Sequence, residues 1–416
     1  MSREQPGQRL RAATPRVLSA LARRNPGQFD LCEDAVQDAI VRAHATWAAG
    51  DVQGSAPDDV EAWLYVAARN RLVDLIRSDT ARRERERRYA SDLEASSPGL
   101  QVSKQDDSLT LLFLCCHPAL TEASQIALTL RSVGGLSTAE IAAAFLVPES
   151  TMAQRISRAK QRLADSGATF GSVGPDEQAA RMATVRSVLY AIFSEGHAAT
   201  VGAELIRTDL CHEGIRLTRL LHALAAADLE TSSLLALMLL TDARRPARVT
   251  ADGDFVPLDE QDRTRWNRDA ITEGAALLLR ALGAGPAGAY AIQAAIAAIH
   301  CEAPSAAETD WPQIAALYQI LAKVAPSPMV TLNQIVALAM VDGAPVALAR
   351  LAELAREPGL SGHRRVRAVR AHLLERAGRT PEAVDEYRAA ARAATNLPER
   401  RYLLRKAAEL ASPLRS

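Results

Sequence analysis

A capping box, a proline and a second apolar period follow one another in STAEIAAAFLVPESTMAQRISRAKQRL, Ser137 to Leu163, and together they leave this stretch little choice of structure. Ser137 and Glu140 form the box, in which hydroxyl and carboxylate each take an otherwise orphan backbone donor and start a helix. Ile141, Ala142 and Phe145 are its inner face. Pro148 forbids continuation and suits the first position of a second helix, where no amide donor is needed. In that second helix Met152, Ile156, Ala159 and Leu163 recur at helical spacing and make one apolar stripe.

The other faces of the second helix carry Ser150, Thr151, Gln154, Arg155, Arg158 and Lys160. A helix in a major groove needs this arrangement, with short polar groups and Gln or Arg near its start for base edges and cations beside phosphates. A solvated helix hairpin in a larger bundle would show the same pattern, so both readings stand on these residues alone.

A chain of 416 residues exceeds one ordinary core, and two or three domains are expected. Ala and Leu dominate, aromatics are 4% of residues, and Gly and Pro fall between periodic segments, which predicts an all-α protein. No run approaches the apolar length of a membrane helix, and the opening MSREQPGQRLRAATPR has no apolar core behind its charges. The expectation is a cytoplasmic protein without a signal peptide or membrane segment. Five scattered cysteines fit reduced, buried thiols. Three of them adjoin a His, at Cys116-His117, Cys211-His212 and His300-Cys301, but sequence neighbours on a helix point about 100° apart, so no metal site is expected. The formal net charge is zero, with positive charge gathered locally in RNRLVDLIRSDTARRERERR, Arg69 to Arg88, and from Arg155 to Arg162.

Val17 to Ala49 predicts two helices. Asp30 caps the second, Ala35, Val36, Ala39, Ile40 and Ala43 face inward, and Glu33, Asp34, Gln37 and Asp38 are left outside. After a loop from Gly50 to Asp58 comes a long helix whose core contacts are expected from Trp63, Leu64, Ala67, Val73 and Ile76, with Arg69, Asn70, Asp74 and Arg77 on the polar side. The pairing of FDLCEDAVQDAIVRA with AWLYVAARNRLVDLIR, followed by LTEASQIALTLRSVGGLSTAEIAAAFLVPESTMAQRISRAKQRL, resembles the extracytoplasmic-function group of bacterial RNA polymerase sigma factors. Neither half decides this; both, in this order, do.

The resemblance implies an organisation and a set of jobs. Residues 1–90 would be sigma region 2, 91–107 a flexible linker, 108–166 sigma region 4 with the helix-turn-helix, and 175–416 a large C-terminal helical extension. Glu33, Asp34, Gln37 and Asp38 would dock on the β′ clamp helices of core RNA polymerase. Arg69, Asn70, Asp74 and Arg77 would contact the separated strand of the minus-10 element. Glu149, Ser150, Thr151, Gln154, Arg155 and Arg158 would read the minus-35 element, with region 4 on the β flap. Glu149 either accepts from a cytosine amino group or favours its helix N-terminus electrostatically. Trp63 reads as core rather than as a stacking platform.

Beyond Gly171 to Pro175, helices are expected at Gln178 to Ser194, Ala203 to Ala226, Leu234 to Ala243, Trp266 to Leu282, Ala289 to His300, Trp311 to Val324 and Pro328 to Val341, with a small hairpin in Arg248 to Leu258. Gly378, Ala383, Tyr387 and Ala390 match the second helix of a tetratricopeptide repeat, with Arg364 to Ala377 as its first. A weaker copy around Gly343 lies about one repeat period earlier. Sigma factors with such an extension form a subgroup, in which the extension is thought to regulate. A protein or ligand is its expected partner.

Enzymatic motifs are not found. GAGPAG, Gly283 to Gly288, matches a dinucleotide-binding pattern only formally, since no strand precedes it and Pro286 lacks an amide donor; it reads as a helix-breaking loop. His197 reads as a structural His in a turn. The expected function is a promoter-specificity subunit with no catalytic residues, metal or cofactor. The competing reading is a stand-alone helix-turn-helix regulator with a sensing domain.

Overall fold

The computed structural model describes residues 6–48, 57, 59–87, 108–145, 147–168, 170–171, 175–199, 202–357, 360 and 362–412. The linker expected at 91–107 lies outside these residues. Among the described residues the chain is α-helical, apart from short 3₁₀ turns and two isolated β-bridges. It divides into two compact units, residues 1–191 and 192–416.

The first unit opens with α1 (Pro6–Arg24), α2 (Phe29–Ala48) and α3 (Val60–Arg87), which pack on one another. Leu10, Leu18 and Leu21 of α1, Val36 and Ala39 of α2, and Leu64, Ala68 and Leu72 of α3 are buried. Each large apolar side chain so buried contributes about 1.5–3 kcal/mol. The inner face of α3 differs from the expected one: Leu64 is there, but Tyr65, Ala68 and Leu72 complete it, while Val73 is 39% exposed. The helix runs WLYVAARNRLV with apolar residues on several sides, so periodicity alone could not fix its rotation.

Four shorter helices follow: α4 (Ser108–Cys115), α5 (Glu122–Ser132), α6 (Thr138–Phe145) and α7 (Glu149–Asp165). Gly135 links α5 to α6 at φ +70°, where a side chain is strained, and a Cβ there would lie 2.9 Å from Thr14 Oγ1 on α1. The α1 to α3 group and the α4 to α7 group therefore approach closely at this glycine.

The division between the units falls inside α8 (Pro175–His197). In the second unit α9 (Thr208–Leu224), α10 (Leu229–Asp242) and α11 (Arg268–Ala284) come first. Every residue of α10 from Thr231 to Leu240 is buried, as expected of a helix enclosed on all sides. Then come α12 (Ala289–Glu302), α13 (Trp311–Val324), α14 (Pro328–Val341), α15 (Ala344–Leu354), α16 (Arg364–Arg376), α17 (Thr380–Ala393) and α18 (Leu397–Ala411). Asp310, Ser327 and Asn396 accept from the backbone N–H of Gln313, Val330 and Glu399, which starts α13, α14 and α18 at defined residues.

Successive cores run through α12 to α14, through α14 to α16, and through α16 to α18. Gly343 (φ +89°) and Gly378 (φ +72°) occupy equivalent turns before α15 and α17. Asn396 donates to the carbonyls of Ala199 and Glu204 at 3.1 and 2.8 Å, tying the start of α18 to the beginning of this unit. The expected hairpin is a single antiparallel bridge between Val249 and Phe255. Gly283 and Ala284 of GAGPAG end α11 and Gly285 to Gly288 form the loop to α12, and Tyr290 N donates to Glu230 Oε2 at 3.4 Å, so a carboxylate already faces the first turn of α12.

Candidate nucleic-acid interface

The capping box forms as the residues predict. Glu140 N donates to Ser137 Oγ at 3.1 Å, and Ser137 N donates to Glu140 Oε2 at 2.7 Å. Pro148 lies one position earlier than expected: it is the N-cap of α7, whose carbonyl accepts from Thr151 N and Met152 N at 3.0 and 3.1 Å. The structure buries Met152, Ile156, Ala159 and Leu163, and with them fixed inward, α7 presents Glu149, Ser150, Thr151, Gln154 and Arg158 to solvent, with Arg155 half-buried. These six side chains share the outer part of the helix and its first turns, the section that a major groove admits. A carboxylate, two hydroxyls, an amide and two guanidinium groups supply both acceptors and donors to base edges, while the cations suit phosphates.

Lys160 is not part of that face. It turns inward, with its side chain 10% exposed, and its Nζ lies 2.6 Å from Glu33 Oε2 and 2.6 Å from Asp34 Oδ1, both on α2. Arg131 of α5 donates to Glu33 Oε1 at 2.8 Å and, through Nη1, to Thr138 Oγ1 at 2.9 Å. Gln37 donates to the Arg131 carbonyl at 2.9 Å. At one edge, Arg11 of α1 pairs with the capping residue Glu140 at 2.9 Å.

These contacts correct the expectation that Glu33, Asp34, Gln37 and Asp38 all face outward. Glu33 is 0% and Gln37 4% exposed, while Asp34 is exposed and Asp38 half-buried, paired with Arg71 of α3 at 2.5 Å. Helical periodicity placed Glu33 and Gln37 on the polar side of α2 correctly, but that side is covered by α5 and α7. Burial would raise the Glu33 pKa, yet Lys160 and Arg131 together hold it below the usual carboxylate range. Burial lowers and the two acids raise the Lys160 pKa, with a net rise. Asp34 goes the other way: desolvation of its inner side against region 4 and the Glu33 charge outweigh Lys160 and raise it, although its outer side is open to solvent.

On α3, Arg69, Asn70, Asp74 and Arg77 are all exposed and follow one another at helical spacing, so the structure brings them together on one surface. Trp63 is half-buried with its ring 5.0 Å from that of Trp47. Two base-sized rings in tilted contact at the start of α3 fit a packing role for Trp63.

Residues 110–163, which span α4 to α7, match the model of sigma-70 region 4. Residues 181–282 match a family of unknown function, DUF6596. An uncharacterized protein of Rhizobium meliloti (strain 1021) is 41% identical over 404 residues, covering 95% of this chain and 93% of that protein. The chain belongs to the same family as that protein, and it contains a sigma-70 region 4. Two Mycobacterium tuberculosis proteins, from strains CDC 1551 / Oshkosh and H37Rv, are named "Probable ECF RNA polymerase sigma factor SigI". Each is 29% identical over 171 residues, which is 40% of this chain and 57% of the SigI protein. Region 4 and this partial likeness support a sigma-70 family member with a sigma-factor-like role in transcription.

Within region 4, the inward pairing of Arg131 and Lys160 with Glu33 is what reading the sequence missed. Lys160 looked like one more cation on a basic helix. The one signal was its place beside the apolar stripe, one residue after Ala159 and three before Leu163, which leaves it at the margin of the buried face. Among the described residues no group of His, Cys, Asp and Glu could hold a metal ion, and no helix is long and apolar enough to cross a membrane.

Proposed function

We propose that the protein is an alternative sigma factor of the extracytoplasmic-function group. It binds core RNA polymerase through the α2 surface at Glu33, Asp34, Gln37 and Asp38 and through region 4 on the β flap. It reads the minus-35 element with Glu149, Ser150, Thr151, Gln154, Arg155 and Arg158, and captures the minus-10 strand with Arg69, Asn70, Asp74 and Arg77. Opening DNA without ATP requires binding energy that favours the separated strand, which a basic surface with polar pockets supplies. The observation that carries this reading is the exposed, mixed donor and acceptor face of α7 on a correctly capped helix-turn-helix.

The free protein holds its first unit closed. Glu33 and Gln37 are occupied by Arg131 and Lys160 of region 4, so the α2 surface becomes available to polymerase only when region 4 moves away. The C-terminal helical unit, with its tetratricopeptide-like pairs, regulates that opening.

Run-off transcription with core polymerase over a pool of genomic promoter fragments tests the reading, comparing the full chain with one ending at Ala191. Promoter-specific transcripts from either chain support the sigma role, and a gain on truncation assigns inhibition to the extension. No transcripts and no binding to core polymerase, with DNA binding retained by the chain alone, would establish a stand-alone regulator instead.

A further inference from the structure

In the second unit α15 and α17 both pack on α16, and between them they leave a groove of about 560 Å³. Buried Leu351, Val366 and Leu374 form its floor, and half-buried Leu348 and exposed Ala352 belong to the α15 wall. Pro345, Leu348, Ala352 and Ala355 recur at spacings of three and four, so one stripe of α15, about 15 Å long, lines the groove. A pocket of about 300–1,000 Å³ with an apolar lining and a few charged groups is the usual build of a small-molecule site.

The charged side chains of the lining, Arg367, Arg370, Arg379 and Glu386, do not balance. Arg379 is committed to Glu382, with its Nε 2.7 Å from Oε1. Among the described residues Arg367 and Arg370 share one carboxylate, that of Glu386 on α17: Arg367 Nη1 lies 3.5 Å from Oε2, and Arg370 Nε 3.7 Å from Oε1. Both distances exceed the roughly 2.7–2.9 Å of a charge-assisted hydrogen bond. Glu386 Oε2 is shut off from solvent and makes no hydrogen bond with a described residue. One carboxylate thus holds two guanidinium groups loosely, and a positive charge is left over beside an apolar floor. The Arg367 and Arg370 side chains are 36% and 55% exposed, so both are open to a ligand from solvent.

The groove on the other side of α15 is built alike and charged oppositely. It lies against α13 and α14, has about 510 Å³, and carries Glu353 and Glu357 against Arg350, which pairs with Glu353 at 3.2 Å. An anion is therefore favoured in the first groove and opposed in the second. We propose that the groove between α15 and α17 binds a small amphiphilic anion, an apolar body ending in one carboxylate. The body lies on Leu348, Leu351 and Leu374, and the carboxylate takes Arg367 and Arg370 from Glu386. Apolar contact supplies the affinity, and the surplus cation selects the sign of the charge. The site gives the C-terminal unit a ligand class, and it stands independently of the promoter reading because its test measures binding alone.

Isothermal titration of the full chain with decanoate, below its micelle-forming concentration and at constant ionic strength, tests this. Acetate supplies the charge without the chain, and decyltrimethylammonium the chain with the opposite charge. One saturable site is expected for decanoate and none for either reference. Arg367→Gln with Arg370→Gln should weaken decanoate binding at least about tenfold, the loss of one charge-assisted pair. Glu386→Gln should tighten it, because the competing carboxylate is gone; nonspecific adsorption would respond to neither change. Ala352→Trp, at an exposed position, fills the groove and should abolish binding with the melting temperature unchanged. If that variant fails to fold, Ala349→Leu on the same exposed wall takes its place. No saturable decanoate binding, equal binding of decyltrimethylammonium, no tightening in Glu386→Gln, or undiminished binding in the arginine or groove-filling variants would overturn the proposal. Self-association of the full chain, or binding of a synthetic helical peptide with one leucine face and one glutamate face, lost in Ala352→Trp while decanoate gives no saturable heat, would overturn it in favour of a protein partner.

Discussion

Lys160→Met is the sharpest test of the closed first unit. The substitution keeps an apolar stem of similar length and deletes the ammonium that touches both Glu33 and Asp34 at 2.6 Å. Removing one partner of a buried ion pair costs about 3–5 kcal/mol, because the other charge stays buried and unpaired. Arg131 remains 2.8 Å from Glu33, so the lower end, about 3 kcal/mol, is expected. That amounts to a change of about 10² in the ratio of closed to open molecules. Spin labels on Val41→Cys of α2 and Arg162→Cys of α7 report the separation. Both positions are exposed, whereas the native thiols are buried and burial pushes Cys32 and Cys116 up to about 12, which leaves them slow to react. The variant should show a longer, broader distance distribution and bind core polymerase more tightly than the parent. A distribution identical to the parent's, with unchanged resistance to urea, would refute the view that this ion cluster holds region 4 against α2.

Ser137→Ala removes half of the capping box and should cost about 1 kcal/mol, read as a lowered urea midpoint. Gly135→Ala places a Cβ at φ +70° against Thr14 and should cost about 1–2 kcal/mol for the left-handed backbone, with more from the contact, measured the same way. Arg158→Ala should weaken promoter binding across sequences and flatten its salt dependence, whereas Gln154→Ala should relax discrimination at one base pair by about 1–3 kcal/mol in a competition assay. The C-terminal unit should lose stability on acidification: burial, then nearby arginines, hold His197 well below and His300 at about 3. Both depressed values mean that the unfolded chain takes up protons first. Stability is therefore full above about pH 6.5 and falls as pH drops below it, by up to about 1.4 kcal/mol per pH unit for each His. Urea unfolding at pH 7 and 5.5 checks this, and His300→Gln should reduce the slope.

Local chemistry was readable where it is local. The Ser137 and Glu140 pair, the stripe through Met152 and Leu163, and the starts of α13 and α14 are each written within a few residues, and the structure has them there. The buried state of Glu33 was not readable, because its partners lie 98 and 127 positions away and nothing in α2 names them. His197 was expected in a turn, but it is the last residue of α8 and stacks on Phe193 at 5.8 Å, enclosed by α9 and the Arg248 segment that no neighbouring pattern announces. Helices α15 and α18 were not delimited: α15 is short, and α18 is Arg- and Glu-rich with a thin apolar face of Leu403 and Ala407. The candidate DNA-reading residues were legible as a set because the fixed inner stripe of α7 determines the outer one.

Asn396 gives the second unit a timetable. Its amide closes on Ala199 and Glu204, and Leu397 N donates to the Gly202 carbonyl at 2.9 Å, so the unit's first and last segments are fastened to each other. At bacterial rates of synthesis the ribosome needs on the order of ten to forty seconds to travel from one to the other. During that interval the first unit has emerged whole, while the second is still an open string of helices waiting for its clasp. A nascent chain thus passes through a stage in which region 4 is complete and the domain that follows it is not, and premature termination anywhere before Asn396 would leave the molecule permanently at that stage.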